Sequence, residues 1–144
     1  MTDLDERFSA ALHSTARSWR LAMDRRLKGL GVSQASWMSI AAVAKAQRPL
    51  SQSDLADHLG VEGATMVSMI DRLVKAGLVL REPSKEDRRV KRVVLTEAGN
   101  RVFETVKTEA AALRKELLAG IQPAKLESAT ELLEQLQGMF DAGP

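Results

Sequence analysis

The sequence of 144 residues contains no cysteine, and its two histidines, His13 and His58, lie far apart in the chain. The first absence excludes disulfides, thiolate metal sites and a cysteine nucleophile, and the second leaves no histidine pair on which to build a metal site. No apolar run approaches the roughly 20 residues that a membrane-spanning helix needs, so no membrane partner is expected. The opening residues, MTDLDERFSAALHS, place acids where a secretory leader carries basic residues and lack its continuous apolar stretch. No export signal is therefore expected, and a cytoplasmic location fits. Also missing are a nucleophile elbow, a phosphate loop, a metal-ligand cluster and a cofactor fingerprint. Together these absences argue against an enzyme: no catalytic residue, metal or cofactor is assigned.

What is there is globular in composition, with 44% hydrophobic and 28% charged residues, and of a length that suits one domain. The net charge of +2 is too small to mark a nucleic-acid partner, so its distribution carries more weight. Between positions 81 and 92 the chain gathers Arg81, Lys85, Arg88, Arg89, Lys91 and Arg92 against Glu82, Glu86 and Asp87.

Apolar residues from Leu4 through Phe8, Leu12, Trp19, Met23 and Leu27 to Leu30 recur at helical steps, which predicts one long amphipathic helix ended by Gly29 and Gly31. Ser33 suits the cap of a second helix that stops by Pro49. Ser51 and Asp54 form a capping pair ahead of a two-turn third helix, with Gly60 at its left-handed end. The fourth helix is expected from Gly63 to Gly77, with Met66, Val67, Ile70, Leu73 and Val74 inward and Thr65, Ser68, Met69, Arg72 and Lys75 on the opposite stripe. The runs LVLR and KRVVL read as a β-hairpin with a charged loop. Thr96 then caps a fifth helix, and Pro123 suits the first turn of a sixth.

A short capped helix, a tight turn and a longer helix make a helix-turn-helix, whose second helix enters the major groove. Gly63, Ala64 and Thr65 let that helix start approach a duplex closely, where backbone amides and the helix dipole favour phosphate. A basic hairpin directly afterwards is the winged variant. Lys85, Asp87, Arg88, Arg89 and Lys91 are its expected contact residues, Asp87 orienting one of the arginines. Thr65, Ser68, Met69 and Arg72 are expected on the duplex from the second helix, and Ser51 and Gln52 from the start of the first.

These segments resemble the MarR family of bacterial regulators, in particular its SlyA-like branch. The resemblance is carried by SWRLAMDRRLKGLGVSQASW at 18–37, GVEGATMVSMIDRL at 60–73, EDRRVKRVVLT at 86–96 and the C-terminal IQPAKL, in the order and spacing of that branch. It implies a mainly α fold with a small β-hairpin wing. Residues 1–32 and 97–144 would supply dimerisation helices, and 33–96 a winged helix-turn-helix lobe, within one domain spanning 1–144. It further implies a homodimer that regulates transcription by binding a pseudo-palindrome in double-stranded DNA. Ser68 stands where the branch usually carries an arginine, so operator sequence does not transfer, and Arg72 can compensate from one turn on. The family also implies a small aromatic carboxylate or phenolic effector in the crevice between lobe and dimerisation helices, where Arg17, Trp37 and Met69 match crevice positions. Ala35 and Ala41 replace larger polar residues there. Arg17 and Trp37 equally fit structural roles, as an intersubunit ion pair and a core indole. A helical interaction module with the wing as a charged loop is the competing reading of the whole chain, separable by salt-dependent DNA binding.

Overall fold

In the computed structural model, which describes residues 3–143 with the side chain of Gln34 excepted, six helices and three short strands follow one another. They are α1 (Leu4–Lys28), α2 (Gln34–Lys45), β1 (Leu50–Ser51), α3 (Gln52–Leu59), α4 (Gly63–Lys75), β2 (Val79–Pro83), β3 (Lys91–Leu95), α5 (Glu97–Leu118) and α6 (Pro123–Ala142). The chain divides into two compact units, Met1–Ala111 and Ala112–Pro144. The expected domain limits, residues 1 and 144, lie outside the described residues.

Local chemistry sets the ends of the elements. Ser33 Oγ accepts the Ser36 N–H at 3.1 Å and starts α2. Ser51 and Asp54 form a reciprocal capping box, two hydrogen bonds of 3.0 Å each, at the start of α3. Gly60 ends α3 at φ +67°, a conformation in which any side chain would be strained. Proline occupies the first turn of α6, where its missing N–H costs nothing.

The sheet has a strand more than the expected hairpin. β2 and β3 pair antiparallel from Val79↔Leu95 to Pro83↔Lys91, and β1 adds Leu50↔Val93 and Ser51↔Arg92 on the far side of β3. β1 is only two residues long, too short for an alternating pattern, and its Ser51 serves at once as strand end and helix cap.

The core of the first unit lies between α2, α3, α4 and the sheet, with Ile40, Leu55, Met66, Ile70, Val79 and Val93 at its centre. Against it sits Phe103 of α5. An ion pair from Arg26 Nε to Glu109 Oε2, 2.9 Å, joins α1 to α5. The start of α5 is held closely to the chain between α4 and β2. Thr96 Oγ1 donates to the Gly77 carbonyl at 2.7 Å and accepts the Gly99 N–H at 3.0 Å, while Thr96 N–H donates to the Leu78 carbonyl at 3.1 Å. A Cβ at Gly99 would fall far inside contact distance of the Leu78 carbonyl oxygen, so only glycine fits.

In the second unit, α6 has no buried residue among those described, and its Leu132, Leu133, Met139 and Phe140 are exposed. The same is true of Leu4, Phe8 and Leu12 at the start of α1 in the first unit, whereas Met23 and Leu27 near its end are buried.

Candidate nucleic-acid interface

The helix-turn-helix is α3 and α4, joined by Gly60, Val61 and Glu62. On α4, Gly63, Ala64, Thr65, Ser68, Arg72 and Lys75 are all exposed. Glu62, at the cap position, makes no side-chain cap hydrogen bond, so the first amides of α4 keep their donors. Met69 departs from the sequence expectation. It is only 8% exposed and packs in the core, because positions 66, 69, 70 and 73 together form the inward stripe. Met69 is therefore removed from the DNA-facing set. Val67, expected to face inward, is instead 40% exposed.

The wing spans the β2–β3 loop. Lys85, Arg88, Arg89 and Lys91 are exposed, and the Arg89 side chain is 91% so. Asp87 holds Arg89 by two side-chain hydrogen bonds, Nε to Oδ1 and Nη2 to Oδ2, both 3.1 Å, and accepts the Arg89 N–H at 3.0 Å. These bonds to the Arg89 guanidinium and then to its backbone hold the Asp87 carboxyl below the usual aspartate range. The expectation that Asp87 orients an arginine names Arg89 as that residue.

Two of the basic residues counted in this stretch turn inward. Arg92 Nη2 reaches Glu86 Oε2 at 2.6 Å and Ser84 Oγ at 3.2 Å, and the Ser84 hydroxyl donates to the same carboxylate oxygen at 2.7 Å. The Ser84 hydroxyl first, and then Arg92, hold the Glu86 carboxyl below its ordinary range. Arg81 contacts Asp71 Oδ1 through Nη2 at 2.7 Å and Gln52 Oε1 through Nε at 2.9 Å, with the Val67 carbonyl at 3.3 Å. Counting charge along the sequence cannot separate these two arginines from the outward ones. The alternation of β2 can, since Arg81 shares a face with the buried Val79.

Ser51 and Gln52 are both half-buried at the start of α3. The Ser51 oxygen accepts from Asp54 N–H, which leaves the hydroxyl proton to donate outward. Asp54 is held below the usual aspartate range, chiefly by the Ser51 backbone N–H.

Of the expected crevice residues, Trp37 packs against the core cluster that contains Met69, and Arg17 stands exposed on α1. Trp37 Nε1 is buried without a hydrogen-bond partner among the described residues. A concavity of about 790 Å³ beside Trp37 is lined by Met38, Ala41, Lys45, Arg48, His58 and Leu59 among others, and by neither Arg17 nor Met69. No group of three or more acidic or histidine side chains among the described residues could hold a metal ion. No helix among them is long and apolar enough to cross a membrane.

Residues 42–91, from the second half of α2 to the first residue of β3, match the model of the MarR family. The transcriptional regulator PA3341 is 34% identical over 94% of this chain and 98% of its own, with a TM-score of 0.83. The chain belongs to the MarR family. It is a MarR-family transcriptional regulator, mainly helical with a winged helix lobe. Staphylococcus aureus MarR in complex with salicylate and kanamycin shares the fold, with a TM-score of 0.87 at 20% identity over 98% of this chain and 95% of that one. So does CouR from Rhodococcus jostii bound to p-coumaroyl-CoA, with a TM-score of 0.82 at 21% identity over 94% and 95% of the two chains. The MarR-family match brackets α3, α4 and most of the wing, the elements that carry the exposed donors.

Proposed function

We propose that this MarR-family chain, of the SlyA-like branch, acts in the cytoplasm as a homodimer that binds a pseudo-palindromic operator in double-stranded DNA, without enzymatic activity. The observation that carries the reading is the common exposure of the α4 stripe Thr65, Ser68 and Arg72 and of the wing cations Lys85, Arg88, Arg89 and Lys91. In this reading α4 lies in the major groove, where Thr65, Ser68 and Arg72 address base edges. Gly63 and Ala64 bring the open amides of α4 near phosphate, and Ser51 and Gln52 place α3 on the backbone. The wing, with Arg89 braced by Asp87, adds charge at the backbone or in the neighbouring minor groove.

The division of labour follows the sequence: 33–96 reads DNA, while 1–32 and 97–144 bring two copies together within a single functional domain. The apolar residues that one chain leaves in solvent, on α1 and on α6, support this assembly. Two copies related by a twofold axis present two recognition helices, which suits a site of two inverted half-sites.

A small aromatic carboxylate or phenol is the proposed effector. Relatives of the same fold bind salicylate and p-coumaroyl-CoA, and Trp37 keeps an unpaired buried N–H beside a concavity that combines apolar side chains with Lys45, Arg48 and His58. Arg17 belongs to such a site only if the second copy completes it.

The test is selection of bound fragments from the source genome with purified protein, followed by footprinting. Two protected half-sites about one helical turn apart are expected. Binding that shows neither sequence preference nor dependence on salt refutes the reading.

A further inference from the structure

We propose that Arg81 is a positioning residue for DNA binding: by holding the carbonyl oxygen of Gln52 it turns that side chain's amide N–H groups outward, as donors to a backbone phosphate. The proposal rests on the DNA-binding reading given above and adds Arg81 to it, as the residue that orients Gln52.

Arginine carries five N–H donors and no acceptor. The 2.9 Å contact from Arg81 Nε therefore dictates which end of the Gln52 amide faces it, since only the oxygen can accept. The other end, with two N–H donors, is turned away from Arg81. It stands on the first residue of α3, where the helix dipole is positive and the Ser51 hydroxyl proton is also available. A surface that presents donors alone complements an oxygen that only accepts, which describes a phosphate. Most base edges fit less well, because among the bases only guanine offers two acceptors side by side in the major groove.

The same guanidinium fixes where this donor stands relative to the recognition helix. Arg81 lies on β2, yet its remaining contacts go to α4: Asp71 Oδ1 at 2.7 Å and the Val67 carbonyl at 3.3 Å. One side chain, 26% exposed, thus joins the start of α3, the middle of α4 and the base of the wing. Its pairing with Asp71 has a second effect. Asp71 directly precedes Arg72, and its side chain is 60% exposed, so an uncompensated carboxylate there would repel the duplex. Lysine carries its donors on a single nitrogen and lacks the planar fork by which Nε and Nη2 serve different acceptors.

The experiment measures affinity for a mixed-sequence duplex, its salt dependence and thermal unfolding in the full-length protein. The variants are Gln52→Glu, Gln52→Ala and Arg81→Lys, with the double variant Arg88→Ala, Arg89→Ala as reference. Gln52→Glu retains the acceptor that Arg81 holds and makes the contact an ion pair, so the melting temperature stays or rises. It also sets a carboxylate oxygen against phosphate, so affinity falls by roughly tenfold or more. Gln52→Ala loses about tenfold with an unchanged slope of log affinity on log salt, because a neutral donor displaces no counterion. Arg81→Lys loses a similar factor although the net charge is the same.

Parent-like affinity in Gln52→Glu overturns the phosphate contact, and parent-like affinity in Arg81→Lys overturns the positioning role. If Arg81→Lys fails to fold, Gln52→Glu decides alone, since it keeps the bond to Arg81. Weakening in the wing double variant but not in Gln52→Glu sinks this proposal and leaves the DNA-binding reading standing. Parent-like binding in both shows that the surface itself was misassigned.

Discussion

At the scale of single residues, outward and inward arginines divide the work of the lobe. Arg88 and Arg89 face solvent, Arg89 braced by Asp87, as the proposed contact with phosphate requires. Replacing both by alanine is expected to weaken binding to every duplex alike. The slope of log affinity on log salt should flatten by about one unit for each phosphate that the wing no longer neutralises, as read in anisotropy titrations. Arg72 is expected to behave differently, because it stands on the α4 stripe with Thr65 and Ser68. Arg72→Ala should cost roughly 1 to 3 kcal/mol on the selected operator and little on random DNA. An equal loss on both would reassign it to phosphate. The sequence made these outward residues legible, because helical periodicity separates the α4 stripes. It failed at Met69, one step from Ser68 and at the edge of both stripes, where packing against Met66, Ile70 and Leu73 decides the side. The local count of charge that included Arg81 contains nothing about its partners Asp71 and Gln52, 10 and 29 positions away.

At the scale of elements, the boundaries that carry chemistry of their own were the most legible: the Ser33 cap, the Ser51 and Asp54 box and the Gly60 turn are local, and each stands where expected. β1 was invisible because its identity comes entirely from pairing with β3. The capping box yields a stability prediction with a defined sign. Hydrogen bonds lower the Asp54 carboxyl in the folded chain, so its contribution is fully present above the usual aspartate range and is lost as pH falls through the lowered folded value. Asp54→Asn should cost about 1 kcal/mol near neutral pH, and the gap to the parent should close in acid. A gap that widens in acid would show that another group governs this helix end. Thermal melts at a series of pH values read the difference.

At the scale of the whole molecule, the exposed side chains of α6 offer a test that folding alone would not pass. Leu133 is 44% exposed in one chain. If the chain worked alone, Leu133→Asp would be a surface change, within about 0.5 kcal/mol of the parent. In a homodimer the new carboxylate is buried without a partner, and the loss is expected to reach several kcal/mol, with assembly and folding failing together. Light scattering of the parent should report twice the chain mass at micromolar concentration, and a folded monomer there refutes the dimer. The close approach at Gly99 also reaches beyond its own position. Because the Leu78 backbone oxygen cannot yield as a flexible side chain would, Gly99→Ala is expected to destabilise the lobe by about 1 to 3 kcal/mol in thermal melts. The same close fit, with Thr96 bonded to Gly77 and Leu78, ties the first turn of α5 to the chain just past the end of α4. It is a keyed joint: the first turn of α5 is locked onto the short link that leads from the recognition helix into the wing.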